Sequence, residues 1–258
     1  MVILDLLQRV GQLTLSTLGA MGRFGVFLGR ALFWLVVPPF KFPQTYQRIS
    51  FIGARSMSII LLTGGFTGMV LGLQGVLMLR RVGSEAFVGP AVAVSLVREL
   101  GPVLAALMVT GRAGSAIAAE IGVMRITEQI DALTVMALNP WRYLVVPTIV
   151  AGLISFPLLT WVFDVIGILG GYVVVVNVFG LSGGTYIGQI QAFLSTTDIW
   201  VGFWKSLAFG LVVTWVACYK GFYVGHGAEG VGRATTESVV LASVLIFVLD
   251  YLMGSILP

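Results

Sequence analysis

Residues 95–133, SLVRELGPVLAALMVTGRAGSAIAAEIGVMRITEQIDAL, decide the fold class of this chain. An Arg98-Glu99 pair lies there between two uncharged, largely apolar runs, 86–97 and 100–111, and an amphipathic, charge-rich segment follows. A charged side chain at the centre of a bilayer costs roughly 2.5 to 3.5 kcal/mol, so such residues usually face a partner, a cavity or a pathway. The stretch therefore predicts a membrane protein with a functional interior.

The composition agrees with a membrane protein. Hydrophobic residues make up 58% of the 258 positions and charged residues 10%, whereas a globular domain carries about 25% charged residues. The mean hydropathy is +1.01. We expect an all-α integral membrane protein without a second, soluble core.

The remaining composition excludes several other classes of protein. The net charge is +4, but the Lys and Arg residues are scattered singly, which argues against nucleic acid as a partner. Cys218 is the only cysteine, so neither an intrachain disulfide nor a cysteine metal site is indicated. Residues 225–230, GHGAEG, leave no room for a βαβ unit and lack the Lys and Ser/Thr of a phosphate-binding loop. ATP hydrolysis through such a loop is not expected in this chain.

Apolar runs predict five transmembrane helices, because about 20 residues at 1.5 Å per residue cross a ~30 Å hydrocarbon core. The runs are 57–79, 86–111, a stretch within 143–178, 199–219 and 238–257. They form a transmembrane domain, 48–258. Residues 1–47 precede it as an N-terminal interfacial amphipathic region.

The interfacial prediction depends on arginines that share one face of a helix. Arg9, Arg23 and Arg30 fall within about 60° of one another at 100° per residue, and Pro38-Pro39 would end the helix. The alternative is an extra spanning helix over 26–40, a short run that Arg30 interrupts.

Basic residues predict the orientation of the chain. Regions 1–56, 112–142 and 220–237 hold most Lys and Arg residues, whereas the opposite loops hold Arg80 and Arg81. By the positive-inside rule the N-terminus is cytoplasmic and the C-terminus periplasmic.

Two features of the first two spans predict local packing. Gly64, Gly68 and Gly72 form a doubled G-x-x-x-G ridge, which allows another helix to approach closely. We expect this ridge to pack against another helix of the same chain. The alternative is that it forms a dimer face. Pro102 removes a backbone donor from the second span and predicts a kink.

Four spans carry ionisable residues, namely Arg98 with Glu99, Asp164, Lys205 and Asp250. The simplest interpretation is a set of interhelical ion pairs that fix packing. A second is a polar site in which Arg98 and Lys205 meet an anionic headgroup while Glu99 and Asp250 hold their geometry. A third is a proton relay through the carboxylates, although His226, the only histidine, lies in a cytoplasmic loop.

The cytoplasmic segment at about 118–139 differs in kind from the spans. Ile126, Ile130, Leu133 and Ala137 recur at helical spacing and predict one amphipathic helix. The polar face is predominantly acidic, which favours a soluble protein partner over the lipid surface.

Three motifs carry a family resemblance. GMVLGLQG (68–75), the run 96–133 and GRATTESV (232–239) resemble the MlaE family, the permeases of a bacterial phospholipid-transporting ABC system that maintains outer-membrane lipid asymmetry. The resemblance implies a homodimer in the bacterial inner membrane, with phospholipid as substrate. It also implies two ATPase subunits (MlaF) that bind ATP and Mg, a STAS-domain subunit (MlaB) and a hexameric MCE-domain ring (MlaD).

The resemblance also implies site residues. The substrate-binding set comprises Arg98, Glu99, Lys205, Asp250, Val70, Leu71, Gln74 and Met78. The set that couples the permease to the ATPase comprises Glu120, Arg125, Glu128, Gln129 and Asp131. No catalytic residue, metal or cofactor is expected in this chain. An ion-coupled relay and a structural scaffold remain the competing classes.

Overall fold

The computed structural model describes residues 2–37, 42–225 and 227–256, and all regular structure in these ranges is helical. The α-helices are α1 (Val2–Val36), α2 (Phe42–Ile52), α3 (Met57–Arg80), α4 (Val88–Ser95), α5 (Gly101–Val109), α6 (Ser115–Ile126), α7 (Gln129–Val135), α8 (Val146–Tyr172), α9 (Gly183–Phe193), α10 (Thr196–Phe222) and α11 (Gly227–Ile256). Short π-helical and 3-10 segments join several of them. The prediction of an all-α integral membrane protein is confirmed.

Six helical stretches are long and apolar enough to cross a membrane: Leu18–Leu35, Phe42–Arg80, Glu85–Ile126, Trp141–Val178, Thr196–Phe222 and Gly227–Ile256. The last five contain the five predicted spans, except that residue 257 of the predicted span 238–257 lies outside the described residues. The sixth lies in α1, which has the lowest mean hydropathy of the six, 1.2. Its length therefore keeps the alternative of an N-terminal span open, because α1 continues unbroken for 35 residues.

Helix α1 packs on the bundle through an aromatic cluster. Phe24 stacks on Trp215 of α10 with ring centroids 3.8 Å apart, and Phe27 is buried against Trp141 and Tyr219. The interfacial location of residues 1–47 stays a prediction. Helix α1 ends at Val36, whereas Pro38, Pro39 and the Arg9 side chain lie outside what the structure describes.

The glycine ridge of α3 packs against α8. A Cβ atom built on Gly68 would lie 1.7 Å from the carbonyl oxygen of Gly167, and one on Gly72 would lie 3.0 Å from that of Gly171. No side chain fits between these backbones. The prediction of intramolecular packing is confirmed, and the ridge is covered within one chain.

The second span is one continuous helix of 42 residues, Glu85–Ile126. It contains π-helical turns at Leu96–Leu100 and Thr110–Gly114. The first precedes Pro102, whose ring would clash with the carbonyl of residue 98 in a regular α-helix. The N–H of Gly101 instead bonds to the oxygen of Leu96, five residues back. The kink predicted at Pro102 therefore takes the form of the π-helical turn Leu96–Leu100, which contains Arg98 and Glu99 and is called the wide turn below.

The amphipathic segment at 118–139 is not one helix, and that part of the prediction was wrong. Helix α6 ends at Ile126, Glu128 adopts φ 59° in the left-handed region, and α7 then begins at Gln129. Ile130 and Leu133 are buried as predicted, but Ala137 is exposed with φ 57° after α7 has ended. Periodicity alone did not show the break because Thr127 and Glu128 are ordinary helix residues by propensity.

Candidate functional site

Lys205 is the centre of a buried charge cluster between three helices. Its side chain is fully buried, and its Nζ donates a short hydrogen bond to Glu99 Oε2. Nζ also lies 2.9 Å from Asp250 Oδ1, as an ion pair without hydrogen-bond geometry. An ammonium group out of contact with water needs such partners. The structure therefore brings together three of the predicted site residues.

The cluster forms because α10 approaches the wide turn of the second span closely. A Cβ on Gly202 would lie 2.2 Å from the carbonyl oxygen of Val97. Lys205 follows Gly202 by three residues, so it shares the face of α10 that meets this turn. Gly202 thus sets the distance between Lys205 and Glu99.

The cluster is open on one side. The Glu99 side chain is 45% exposed and that of Asp250 23%, whereas Lys205 is fully buried. A Cβ on Gly254, one turn beyond Asp250 on α11, would lie 3.6 Å from Lys205 Nζ and 3.7 Å from Glu99 Oε1. Asp250 and the surface of Gly254 therefore border the accessible carboxylate of Glu99, and Lys205 lies behind it.

Arg98 pairs with a carboxylate that was not among the predicted site residues. Its NH1 lies 3.3 Å from Asp198 Oδ1, at the start of α10. Asp198 also accepts hydrogen bonds from the backbone N–H and the hydroxyl of Ser195, in a capping box. Asp198 directly precedes the predicted span 199–219. The Ser195-x-x-Asp198 spacing was the signal that could have identified it as a helix start.

Asp164 lies apart from these ion pairs. It is 6% exposed, and its Oδ1 has no hydrogen-bond partner among the described residues. That oxygen occupies the space above Gly101, where a Cβ would lie 1.8 Å from it. Among the described residues, Asp164 therefore takes no part in the ion pairs that join Lys205 to Glu99 and Asp250.

The predicted residues of α3 fall on two faces. Val70, Gln74 and Met78 are exposed, whereas Leu71 packs partly buried against the core. Helix α3 packs mainly on α8 and α4, whereas Lys205 lies on α10. The structure does not bring the α3 set into contact with the charge cluster within one chain.

The predicted coupling residues lie together at the opposite end of the bundle. Glu120 accepts two hydrogen bonds from Arg48 of α2, at 2.5 and 2.8 Å. Arg125 pairs with Asp131 across the Glu128 turn at 2.7 Å. Glu128 and Gln129 are exposed. Three of the five side chains are therefore already engaged within the chain.

Comparison with known proteins identifies the family. The family model of the permease MlaE matches residues 45–256. This chain belongs to the MlaE permease family. The family resemblance of the three sequence motifs is confirmed by this match.

The relatives of this MlaE-family permease include named transport proteins. The intermembrane phospholipid transport system permease protein MlaE of Haemophilus influenzae is 40% identical over 257 residues, 99% of this chain and 98% of that protein. A probable ABC transporter permease protein of Rickettsia bellii is 40% identical over 252 residues, 98% and 97% of the two chains. The chloroplastic protein TRIGALACTOSYLDIACYLGLYCEROL 1 of Arabidopsis thaliana is 32% identical over 230 residues, 89% and 66% of the two chains.

Proposed function

We propose that this chain is the membrane-spanning permease subunit of an ABC transporter in the bacterial inner membrane. It moves phospholipid between that membrane and a periplasmic lipid-carrying partner, and so maintains outer-membrane lipid asymmetry. The observation that carries the proposal is the buried Lys205, held by Glu99 and Asp250 with one side of the cluster open. The MlaE family membership supports phospholipid as the transported molecule.

The chemistry of the cluster suits transient contact with a phosphate. Lys205 and Arg98 each form an ion pair with a carboxylate. Ammonium and guanidinium groups also form charge-assisted bonds to phosphate. A headgroup entering beside Gly254 would compete with Glu99 for Lys205. The carboxylates would then keep the cations in place when the lipid leaves.

The proposed assembly is a homodimer with two MlaF ATPases, MlaB and a hexameric MlaD ring. ATP and Mg bind to the ATPases, which contact the permease through the segment 118–139, with Glu128, Gln129 and Asp131 at its surface. A second copy opposite α3 would place Val70, Gln74 and Met78 at the seam of a shared cavity. Dimerisation thus supplies a role for an exposed apolar face of α3.

The proposed orientation has a cytoplasmic N-terminus and a periplasmic C-terminus. Arg48, Arg125 and Arg233 lie at one end of the helices and Arg80 at the other. This distribution agrees with the positive-inside rule. The charge cluster then lies in the periplasmic half of the membrane.

The test compares two lysines of the same helix. In proteoliposomes containing the full complex, Lys205→Met should lower ATP-dependent lipid transfer at least about tenfold, because it leaves two carboxylates without their cation. Lys220→Met is the control, since Lys220 pairs with Glu237 at the cytoplasmic end of α10. If the two variants assemble and transfer lipid equally well, the cluster serves only to fix helix packing.

Native mass spectrometry of the complex tests the assembly itself. Material purified through a tag on this chain should contain two copies of it, two ATPase chains and bound phospholipid. A species without any ATPase would contradict the proposed role.

The ion-coupled alternative is not favoured by the comparisons. A relay would need Glu99, Asp164 and Asp250 to communicate. Glu99 and Asp250 meet at Lys205, but Asp164 packs against Gly101 without a hydrogen-bonded partner at Oδ1 in the described residues.

A further inference from the structure

An apolar groove runs along the lipid-facing side of α2 and α8, away from the Lys205 cluster. Its volume is about 650 Å³, and its lining includes Gly53, Met57, Leu158, Trp161 and Val165. Leu158, Trp161 and Val165 are among the exposed large side chains of the chain. The groove is therefore an open apolar surface within the membrane-spanning part of the molecule.

The dimensions of the groove match one leaflet of a bilayer. Along α8 its lining extends from Ser155 to Ile166, and eleven residues at 1.5 Å per residue give about 16 Å. This is about half of a ~30 Å hydrocarbon core. The groove begins where the uncharged run of α3 begins, at Met57. An acyl chain of the adjacent leaflet would fill it.

A polar cleft of about 530 Å³ lies on the other side of α2 and shares Tyr46 and Ser50 with the groove. Arg48 in its wall is neutralised by Glu120. Arg55 is exposed, with its guanidinium 5.6 Å from the Phe51 ring centroid. Within the described ranges, no carboxylate lies at ion-pair distance from Arg55.

A second arginine adds positive charge beside Arg55. Arg112 donates hydrogen bonds to the Phe51 carbonyl oxygen at 2.7 Å and to the Ser56 hydroxyl at 3.0 Å. Its guanidinium lies 5.0 Å from the Phe51 ring centroid. These partners satisfy its hydrogen-bonding groups, and no carboxylate of the described residues pairs with it. The polar cleft, which Arg55 and Phe51 line and which shares Tyr46 and Ser50 with the groove, therefore carries positive charge.

A buried hydroxyl points to an occupant of the groove. Ser155, which lines it, is 1% exposed, and its Oγ has no hydrogen-bond partner among the described residues. Buried polar side chains are normally hydrogen-bonded. The carbonyl oxygen of a glycerol ester at this depth would accept a hydrogen bond from Ser155.

We propose that α2 and α8 bind one phospholipid of the cytoplasmic leaflet, with an acyl chain in the groove and the phosphate beside Arg55. The uncompensated charge selects a net anionic headgroup. The site lies in the opposite half of the membrane from Lys205. It rests on the proposed orientation and is independent of transport.

Trp161 supplies the readout, because it lines the groove. The full-length chain is placed in phosphatidylcholine nanodiscs with increasing amounts of phosphatidylglycerol that carries brominated acyl chains, which quench tryptophan at contact distance. The signal of Trp161 is the difference between the chain and its Trp161→Phe variant. We expect half-maximal quenching at a low mole fraction of the brominated lipid.

The matched variants are Arg55→Gln and Arg81→Gln, since Arg81 is an exposed arginine at the other end of α3. Arg55→Gln should raise the required mole fraction about fivefold, the contribution of one basic residue at an anionic surface. Arg81→Gln should not change it. Arg55→Lys keeps the charge and should quench nearly as the parent chain does, which shows that the site is folded.

Four outcomes would overturn the proposal. They are equal midpoints for Arg55→Gln and Arg81→Gln, quenching by brominated phosphatidylcholine as effective as by phosphatidylglycerol, loss of quenching on addition of inorganic phosphate, and protection of Trp161 by an added ATPase partner. The third would mean a simple anion site, and the fourth a protein interface.

Discussion

The α3–α8 seam and the Lys205 cluster are both built on glycine, yet they use close helix approach for different ends. In the seam, Gly68 faces Gly167, and backbones contact one another without an ionisable group between them. In the cluster, Gly202 faces the Val97 carbonyl, and the same closeness brings Lys205 to Glu99. Close approach stabilises packing in the first region and positions charge in the second.

This difference separates two kinds of damage. A substitution in the seam should reduce folding and transport together, because the seam glycines contact backbone of the facing helix and not the Lys205 cluster. A substitution around the cluster should affect transport more than folding. The loss of transport relative to the loss of stability therefore assigns a residue to the seam or to the cluster.

The largest effect is expected at Gly68. Gly68→Ala places a Cβ 1.7 Å from a backbone oxygen that cannot rotate away, and overpacking of this kind costs about 3 kcal/mol or more. The yield of monodisperse protein in detergent and its thermal midpoint should both fall. Gly65→Ala is the neighbouring control, because its Cβ would meet Ile166 at an ordinary 3.5 Å. Similar losses for the two variants would refute the seam as a close backbone contact.

The next effect is expected at Gly202. Gly202→Ala places a Cβ 2.2 Å from Val97 O, so α10 must move away from the wide turn and Lys205 from Glu99. We expect about 2 kcal/mol of destabilisation and a larger proportional loss of lipid transfer. Gly232→Ala, at a helical glycine with no neighbour within 4 Å, should leave both quantities unchanged. Losses of stability and lipid transfer in equal proportion would place Gly202 with the seam.

A selective effect is expected at Gly254. Gly254→Ala should be tolerated, because its Cβ would contact Lys205 and Glu99 at ordinary distances of 3.6 and 3.7 Å. Gly254→Leu should fold normally, since α11 is mostly exposed there, and should lower lipid transfer several-fold by covering the open side of the cluster. Transfer at the parental rate would show that lipid does not enter beside α11.

The smallest effect is expected at Asp164, which connects the two regions in space. It lies on the seam helix α8 but touches Gly101, next to the wide turn. Because Asp164 has no ion-pair partner among the described residues, Asp164→Asn should change stability by less than about 1 kcal/mol and leave transfer intact. Loss of transfer with unchanged stability would revive the relay hypothesis.

The sequence predicts the features that depend on spacing within one helix. The ridge of Gly64, Gly68 and Gly72 and the apolar lengths of the five spans were predicted correctly. The burial of Lys205 with Glu99 and Asp250 was anticipated because unpaired charge in hydrocarbon is unfavourable. Such features follow from chemistry that every fold of this chain must satisfy.

The features that depend on neighbouring helices were missed. Arg98 pairs with Asp198 instead of joining Lys205, because the wide turn directs the two adjacent residues to different carboxylates of the bundle. Helical periodicity likewise predicted one amphipathic helix where Glu128 adopts a left-handed conformation. The structure shows both outcomes, but propensity and charge count do not determine them.

The unbroken second span can transmit motion from one of its ends to the other. Glu99 and Ile126 belong to one helix, and 27 residues at 1.5 Å per residue separate them by about 40 Å. A tilt of about 5° around Ile126 would displace Glu99 by about 3.5 Å, farther than a hydrogen bond can stretch. In the proposed orientation, a small displacement of the segment 118–139 would therefore separate Glu99 from Lys205 at the other end of the same helix.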